Sequence, residues 1–192
     1  GNYRYLWFTP NALNEEDVEA IDDWAERFKQ YVLIGLNRHI KDHFTGELDF
    51  CLTLDYTYNP ATKRRTLYGE AVYQLKYQHS RLHLNTLQAG LLDAFKVVPI
   101  PPRETTVITH VPSTPDKCNV PRKLAVALAG ALSLGYVDAD LLCDKSAMKG
   151  ITVAQKIPEW QEIYGCRNCV RLHGDVKDRT VVIIDDLYQS GA

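Results

Sequence analysis

The stretch TVVIIDDLYQSGA, from Thr180 to Ala192, decides the fold class of this chain. Its short, apolar and β-branched run, Thr180 to Ile184, is typical of a central strand in a parallel sheet, where both faces are covered. Two carboxylates, Asp185 and Asp186, follow directly, and a loop with a serine and a glycine comes next. Ligands bind at the carboxyl ends of strands in open parallel α/β sheets, so the stretch also indicates where a functional site should lie.

The segments before this stretch alternate between strand and helix patterns. Thr105 to Val111 is β-branched and apolar and predicts a buried strand, and Leu124 to Leu134 is rich in Ala and Leu and predicts a helix. Asp138 to Leu142 predicts a second strand. Two helices are predicted upstream, one from Gly69 and one over Leu84 to Phe95. Strand–helix–strand alternation predicts an α/β fold with a parallel sheet.

Residues 1–66 form a separate N-terminal region in this interpretation. Asn14 can cap a helix, and apolar residues at helical spacing from Val18 to Ile40 predict that one face of this helix packs on a core. Alternating polarity from Phe50 to Tyr58 predicts a strand with one buried face. A turn at Asn59 and Pro60 and a solvated loop tip at Lys63, Arg64 and Arg65 follow.

Composition limits the classes of partner. The chain has 192 residues, 45% of them hydrophobic, and a net charge of -2, which excludes binding to nucleic acid or to an anionic membrane by bulk charge alone. A local basic site remains open. The longest uncharged stretch, which begins at Leu124, is shorter than the roughly 20 apolar residues that span a bilayer. Five irregularly spaced cysteines fit a reducing compartment, so the sequence predicts a cytoplasmic protein without a membrane span.

The chemistry of the site follows from the residue types at the end of the predicted strand. Backbone N–H groups and the hydroxyl of a loop with Ser190 and Gly191 are suited to bind a phosphate. Asp185 and Asp186 repel a phosphate, so they need another role: to accept hydrogen bonds from a sugar diol or to hold a divalent cation. The alternative is an Asp pair that caps a helix after a buried strand.

At these residues the sequence resembles the ribosyl-5-phosphate motif of the type I phosphoribosyltransferases. The motif is an apolar strand, two acidic residues, and a small-residue loop that ends in Thr/Ser-Gly. The resemblance implies that Asp185 and Asp186 are catalytic and hold the ribose hydroxyls of phosphoribosyl pyrophosphate. It implies that the 5-phosphate is bound by Tyr188, Gln189, Ser190, Gly191 and Ala192. Gln189 departs from the Thr that is usual at its position.

Two further segments match the order of elements in that family. The loop after the first strand corresponds to the family's pyrophosphate loop, with Ser113, Thr114 and Lys117 as its contacts. The polar segment Cys143 to Gly165 stands where the family has a mobile hood over the active site. Its lysines, Lys145, Lys149 and Lys156, would then neutralise the departing pyrophosphate, and the alternative is a solvated loop.

Within this superfamily the chain resembles most the ComF-like group of competence-related proteins, over residues 67–192. That group usually has a four-cysteine zinc ribbon at its front, whereas this chain has Cys51 alone there, so residues 1–66 stay unassigned. The family also continues beyond the position of Ala192 with a Thr and a helix. The resemblance therefore implies that the core of residues 67–192 is truncated at its C-terminus.

The expected function is that of a phosphoribosyltransferase-like enzyme that binds magnesium phosphoribosyl pyrophosphate and transfers or cleaves its phosphoribosyl group. Mg²⁺ is expected to come with the substrate, with Asp185 and Asp186 as its possible protein ligands. The alternative is a catalytically silent module that senses a nucleotide or binds a partner in a nucleic-acid-processing or defence assembly. A homo-oligomer or a larger assembly is compatible with either.

The sequence supports metal binding at its other cysteines and histidines less strongly than it supports the site at Asp185 and Asp186. Cys166 and Cys169 have the spacing of a zinc or redox pair but no adjacent second pair, so reduced thiols are the simpler reading. Two pairs of histidines four residues apart lack the acidic neighbour of a zinc-protease motif: His39 with His43, and His79 with His83.

Overall fold

The computed structural model of the chain describes residues 12–34, 51–78, 80–98, 100, 103–113, 119–142, 152–165 and 169–186. These residues contain five helices and seven short strands. The helices are α1 (Glu15–Phe28), α2 (Leu67–Tyr77), α3 (Arg81–Phe95), α4 (Val120–Leu132) and α5 (Val153–Gly165). The strands are β1 (Val32–Leu33), β2 (Leu52–Thr53), β3 (Thr106–His110), β4 (Gly135–Tyr136), β5 (Ala139–Leu141), β6 (Val170–Leu172) and β7 (Thr180–Ile184).

Three of these strands form a parallel sheet in the order β4-β3-β7. The register pairs Thr106 with Thr180 and His110 with Ile184, so β3 and β7 end at the same edge of the sheet. The prediction of an α/β fold with a parallel sheet is thereby confirmed. β3, and not β7, is the central strand of this sheet: all five residues of β3 are buried, whereas Ile183 of β7 is 50% exposed.

The main hydrophobic core lies between this sheet and three helices. α4 packs on β3, β7 and β4, and α2 and α3 pack on each other and on α4. α4 begins after Asn119, whose side chain caps the helix by accepting a hydrogen bond from Arg122 N. A proline in the first turn also favours a helix start at this position. The buried residues of this core are Ala71, Leu75, Leu87, Ile108, Val120, Leu124, Ala125, Leu128, Ala129 and Ile184.

A second, smaller cluster joins the N-terminal region to α3. Tyr31 and Leu54 are buried there together with Ala94 and Val97. Trp24 of α1 donates its indole N–H to the carbonyl oxygen of Val97 at 2.7 Å. The described part of residues 1–66 therefore packs directly on α3 and the residues that follow it.

Three expectations for the elements need correction. The first helix ends at Phe28, so it is shorter than the predicted stripe. Its predicted face is half-buried at Ile21, Ala25 and Phe28, whereas Val18 is 47% exposed. Of the strand expected over Phe50 to Tyr58, the described residues form β2 and an isolated bridge between Tyr58 and Arg65, with bends at Leu54, Asp55 and Thr57, while Phe50 lies outside the described residues. The strand expected at Asp138 to Leu142 is β5, but it pairs antiparallel with β6 and stands outside the parallel sheet.

The segment expected to be a polar hood also differs from its prediction. From Val153 onward the segment is the helix α5. Lys156 and Ile157 of this helix are buried, with exposures of 9% and 7%, so these two residues are not part of a solvated loop. Residues 143–151 lie outside the described residues. Among the helices that the structure describes, none is both long enough and apolar enough to cross a membrane.

The turn that precedes α2 is tied tightly to the helix. The Asn59 side chain accepts hydrogen bonds from two backbone N–H groups of the turn, as the sequence predicts. Thr66 caps α2 by accepting a bond from Gly69 N at 3.1 Å. Arg65 is more than a solvated charge, because its guanidinium lies 3.7 Å from the centroid of the Tyr73 ring and 3.3 Å from Glu70 Oε2.

Candidate functional site

The carboxyl edge of the parallel sheet brings polar residues of three strands together. Asp185 and Asp186 follow β7, His110 ends β3, and Asp138 comes two residues after β4. Backbone hydrogen bonds continue past the strand ends, from Val111 N to the Ile184 carbonyl oxygen at 2.9 Å. The acidic pair therefore lies at the edge where ligands bind in parallel α/β sheets, as the sequence predicts.

Asp186 forms an ion pair with a lysine from α2. Lys76 Nζ lies 2.8 Å from both carboxylate oxygens of Asp186. The side chain of Asp186 is 9% exposed and that of Lys76 is 31% exposed, so the pair is half-buried. The ion pair fixes the Asp186 side chain and places a positive charge beside it at the carboxyl edge.

Asp185 differs from its neighbour because it is exposed. Its Oδ1 accepts a hydrogen bond from Asp186 N at 2.8 Å, which fixes the side chain against the backbone. Burial, and secondarily the charge of Asp185, raise the pKa of the Cys51 thiol. Cys51 is therefore a protonated thiol near the acidic pair and lacks the lowered pKa of a nucleophilic cysteine.

A chain of hydrogen bonds begins at His110 and ends at the first turn of α4. His110 Nδ1 lies 3.1 Å from the Tyr136 hydroxyl, which donates to Asp138 Oδ1 at 2.8 Å. Arg122 Nε donates to the same oxygen at 3.1 Å, and a terminal guanidinium nitrogen lies 2.5 Å from Asp138 Oδ2. The bidentate ion pair with Arg122 fixes the Asp138 carboxylate, and the hydrogen bond to this carboxylate fixes the Tyr136 hydroxyl.

The network fixes the charge of its members. Burial and the bond to Asp138 raise the pKa of Tyr136 to about 12, so the phenol keeps its proton. Burial acts to raise the pKa of Asp138, but hydrogen bonds from Arg122 and Tyr136 outweigh it and hold that pKa below its ordinary value. Burial lowers the pKa of His110, and the charge of Asp138 offsets this only in part. The resting network is a neutral imidazole, a neutral phenol and a carboxylate.

Acidification from pH 7 to about pH 5 is expected to lower the free energy of unfolding through His110. An unfolded histidine titrates near pH 6.5, and the folded pKa of His110 lies lower. Between these two values the unfolded chain binds more protons, so stability falls as the pH falls. Urea unfolding at pH 7, 6 and 5 measures the loss, which should be smaller in His110→Gln. The matched control is His173→Gln, which alters an exposed histidine; an unchanged loss in His110→Gln would contradict the assignment.

Most other predicted site residues lie outside the described part of the chain. Ser113 is described and half-buried, three residues after the end of β3. Lys156 is buried on α5 and not displayed on a loop, which corrects its expected role as a free pyrophosphate ligand. Outside the described residues lie Thr114, Lys117, Lys145, Lys149, Cys166, Tyr188, Gln189, Ser190, Gly191 and Ala192, together with His39, His43 and His79.

The carboxyl edge offers few protein ligands for a magnesium ion. Within the described ranges no three His, Cys, Asp or Glu side chains gather as a metal cluster. Of the two carboxylates after β7, one is bound by Lys76 and one is exposed. Mg²⁺ keeps several waters and is commonly held by one or two carboxylates plus substrate phosphates. The residues therefore fit Mg²⁺ that arrives with a phosphorylated substrate.

Sequence reasoning overlooked four residues of this site: Lys76, Arg122, Tyr136 and Asp138, and it took His110 only as part of a strand. A polar residue at the end of a buried β-branched run was the available signal for His110. No local signal marks Lys76 as the partner of Asp186, since 110 positions separate them.

Comparison of the chain with protein-family models, with curated proteins and with solved structures finds no match in any of the three. The function therefore has to be inferred from the chemistry of the carboxyl edge.

Proposed function

We propose that the carboxyl edge binds magnesium phosphoribosyl pyrophosphate and that the protein transfers or cleaves its phosphoribosyl group. One observation carries the proposal: two adjacent carboxylates, Asp185 and Asp186, directly follow a parallel strand beside the central strand of an α/β sheet. The motif resemblance predicts this placement. Neither carboxylate is suited to a bare phosphate, whereas both are suited to hydroxyl groups of a sugar.

The two carboxylates have different tasks in this proposal. Asp185 is exposed and would accept hydrogen bonds from a ribose hydroxyl that reaches it from solvent. Asp186 is held by Lys76, but a carboxylate has about four lone-pair directions and keeps some for a second hydroxyl. Because Lys76 fixes Asp186, the sugar would meet an oriented acceptor and not a mobile one.

Bond cleavage at the sugar creates a positive charge that the edge is suited to stabilise. The bond between ribose C1 and the pyrophosphate oxygen breaks, and its electron pair leaves with pyrophosphate. The sugar ring becomes an oxocarbenium-like cation, which two carboxylates at its hydroxyls favour. A nitrogenous acceptor, or water in the case of cleavage, then forms the new bond to C1. Mg²⁺ on the substrate offsets the charge of the leaving group.

The start of α4 is suited to stabilise a leaving pyrophosphate at this edge. α4 begins at Val120, so its positive end and its first N–H groups lie on the same side of the sheet as the loop that follows β3. Pro121 has no N–H group, and Asn119 binds the N–H groups of Arg122 and Lys123, so the helix would act on a leaving group mainly through the positive end of its dipole. The predicted contact Ser113 begins that loop.

A second candidate function has its own support. The Lys76 ion pair neutralises Asp186, which reduces the negative charge available to an oxocarbenium ion. Gln189 replaces the usual Thr of the phosphate loop. Both features favour a module that binds the nucleotide-like ligand without turnover, as a sensor or as part of a larger assembly.

Calorimetry and a turnover assay test the two functions. Titration of the protein with magnesium phosphoribosyl pyrophosphate should release or absorb binding heat, and titration with magnesium ribose 5-phosphate tests the sugar contacts alone. Release of pyrophosphate is then followed with adenine, guanine, orotate and no base. Turnover with any acceptor, or with water, supports the enzyme. Binding without turnover supports the sensor, and absence of binding contradicts both.

A further inference from the structure

The His110 imidazole is buried at the end of the central strand with one nitrogen unsatisfied. Its side chain has an exposure of 0%. Nδ1 faces the Tyr136 hydroxyl, but Nε2 is buried without a hydrogen-bond partner. Buried polar atoms are nearly always paired, and an exception calls for an explanation such as a catalytic role or a missing ligand.

The protons of the network determine what Nε2 offers. Tyr136 has one hydroxyl proton and donates it to Asp138, the charged acceptor at 2.8 Å. The 3.1 Å contact with His110 is then a hydrogen bond only if Nδ1 carries the ring proton and the phenol oxygen accepts it. A neutral imidazole with its proton on Nδ1 has a bare lone pair on Nε2. Arg122 fixes the far end of this relay by its bidentate bond to Asp138.

We infer that Nε2 of His110 accepts a hydrogen bond from an N–H or O–H group of the second substrate at the carboxyl edge. This inference rests on the proposed function and names the site of its acceptor nucleophile. The arrangement is that of a base oriented by a third group: Asp138 holds Tyr136, and Tyr136 holds the ring of His110. Tyr136 and Asp138 are positioning residues, and His110 is the group that touches the acceptor.

The proton balance of the step is complete within these residues and the substrates. As the acceptor nitrogen bonds to ribose C1, the bond from C1 to pyrophosphate breaks and the electron pair leaves with pyrophosphate. The acceptor N–H proton moves to Nε2, and the ring becomes an imidazolium. The relay then stabilises this cation, because Nδ1–H still donates to Tyr136 and the Asp138 carboxylate lies 3.8 Å from Nδ1. The imidazolium returns its proton to water after product release.

The groups that face His110 carry both signs. Asp138 and Asp140 favour the imidazolium, whereas the positive charge of Arg122 opposes it and burial opposes it more strongly. Tyr136 stays neutral. The ring is consequently a base that is unprotonated before the reaction, as an acceptor of a proton must be.

The ring proton positions are measured by long-range ¹H–¹⁵N correlation spectra of the histidines at pH 7. His110 should carry its proton on Nδ1. His173 is the internal control with the opposite expectation, because its Nε2 lies 2.7 Å from Asp140 Oδ2 and must carry the proton there. In Tyr136→Phe, the His110 pattern should change and that of His173 should stay. A proton on Nε2 of His110 in the unchanged protein would overturn the inference.

Ligand titration in the same spectra separates this inference from the proposed function. Magnesium phosphoribosyl pyrophosphate is added first, and adenine, guanine or orotate second. The Nε2 resonance of His110 should move toward that of a hydrogen-bonded nitrogen only on the second addition, with at least one of the bases. If the first addition binds and no base moves Nε2, the inference fails while the binding function stands. If the first addition does not bind, both fail.

Turnover adds a readout that a structural role would not move. His110→Ala should lower kcat for pyrophosphate release by about a hundredfold or more and remove the acidic limb of the pH profile. Because the ring is buried, Tyr136→Phe provides the variant of conserved volume, with kcat lowered and the KM for phosphoribosyl pyrophosphate unchanged. Tyr56→Phe, at a 53% exposed tyrosine, is the matched control and should leave both unchanged. An unaltered pH profile in both His110→Ala and Tyr136→Phe would contradict the role.

Discussion

Replacement of Asp186 with Asn is expected to lower pyrophosphate release from magnesium phosphoribosyl pyrophosphate by about a hundredfold or more, with the fold retained. Loss of one preorganised electrostatic contact to a transition-state charge costs about 10²–10³ in rate. The amide has nearly the same volume as the carboxylate but no charge, and it cannot accept hydrogen bonds on both atoms. Initial rates at saturating substrate and calorimetric binding measure the two parts of the effect.

The ion pair with Lys76 supplies the matched control. Asp186→Asn and Lys76→Met remove the same salt bridge. Asp186→Asn should lower the free energy of unfolding by about 1 kcal/mol or less, because Lys76 is 31% exposed and can be hydrated. Lys76→Met should cost more, about 1–3 kcal/mol, because it leaves the 9% exposed carboxylate of Asp186 without its cation. Lys76→Met keeps the carboxylate, so it should keep much more activity than Asp186→Asn. Equal loss of activity in both variants would mean that Asp186 acts only through the ion pair. Full activity in Asp186→Asn would remove the acidic pair from the mechanism.

Gly69→Ala is expected to destabilise the protein by about 2–3 kcal/mol or more, although alanine is the better helix former. A Cβ at this position in α2 would lie 2.1 Å from the Thr57 carbonyl oxygen and 2.8 Å from its carbonyl carbon. These are backbone atoms of the turn that docks on the helix, so no flexible side chain can move aside. The turn or the helix has to shift, and Leu75 and Ala71 of the main core lie on the same helix.

Gly130→Ala is the matched control because Gly130 also lies within a helix. A Cβ there meets no atom within 4 Å, so helix propensity alone decides and should stabilise α4 by up to about 1 kcal/mol. Urea unfolding of both variants at one pH measures the two effects, whose signs should be opposite. Stabilisation by Gly69→Ala would show that the contact between the turn and α2 is dispensable.

The difference between local interactions and contacts with distant segments explains which elements were predictable from the sequence. The parallel pair of β3 and β7 and the helix α4 follow from runs of β-branched residues and from an Ala/Leu-rich segment, although α4 begins at Val120, four residues before its predicted start. α1 has the predicted Asn14 cap with a full capping box and a half-buried face at the predicted positions, but it is shorter than predicted and Val18 is exposed. Capping depends on residues three positions apart, whereas burial of the Val18 stripe depends on distant segments that have to cover it.

The residues of the site also divide into those that a local pattern marks and those that distant segments bring together. A continuous apolar run followed by Asp185 and Asp186 predicted the position of the acidic pair at the strand end. The partner of Asp186 on α2, and the relay of His110 to Tyr136 and Asp138, come from segments far apart in the chain. His110 looked like one more strand residue because the run around it is β-branched. Only the approach of β4 supplies its hydrogen bond to Tyr136, and Arg122 at the start of α4 then holds Asp138.

The sequence by itself determined the α/β class, the parallel strands and the location of two carboxylates at a strand end, because these features depend on short runs of residues and their periodicity. The tertiary structure alone decided that β3 is the central strand and that Lys76 neutralises Asp186. It also decided that β5 leaves the parallel sheet and that His110 keeps an unpaired nitrogen. The physical reason is that pairing and burial are settled between segments, where hydrogen bonds and apolar contacts compete across long separations in the chain.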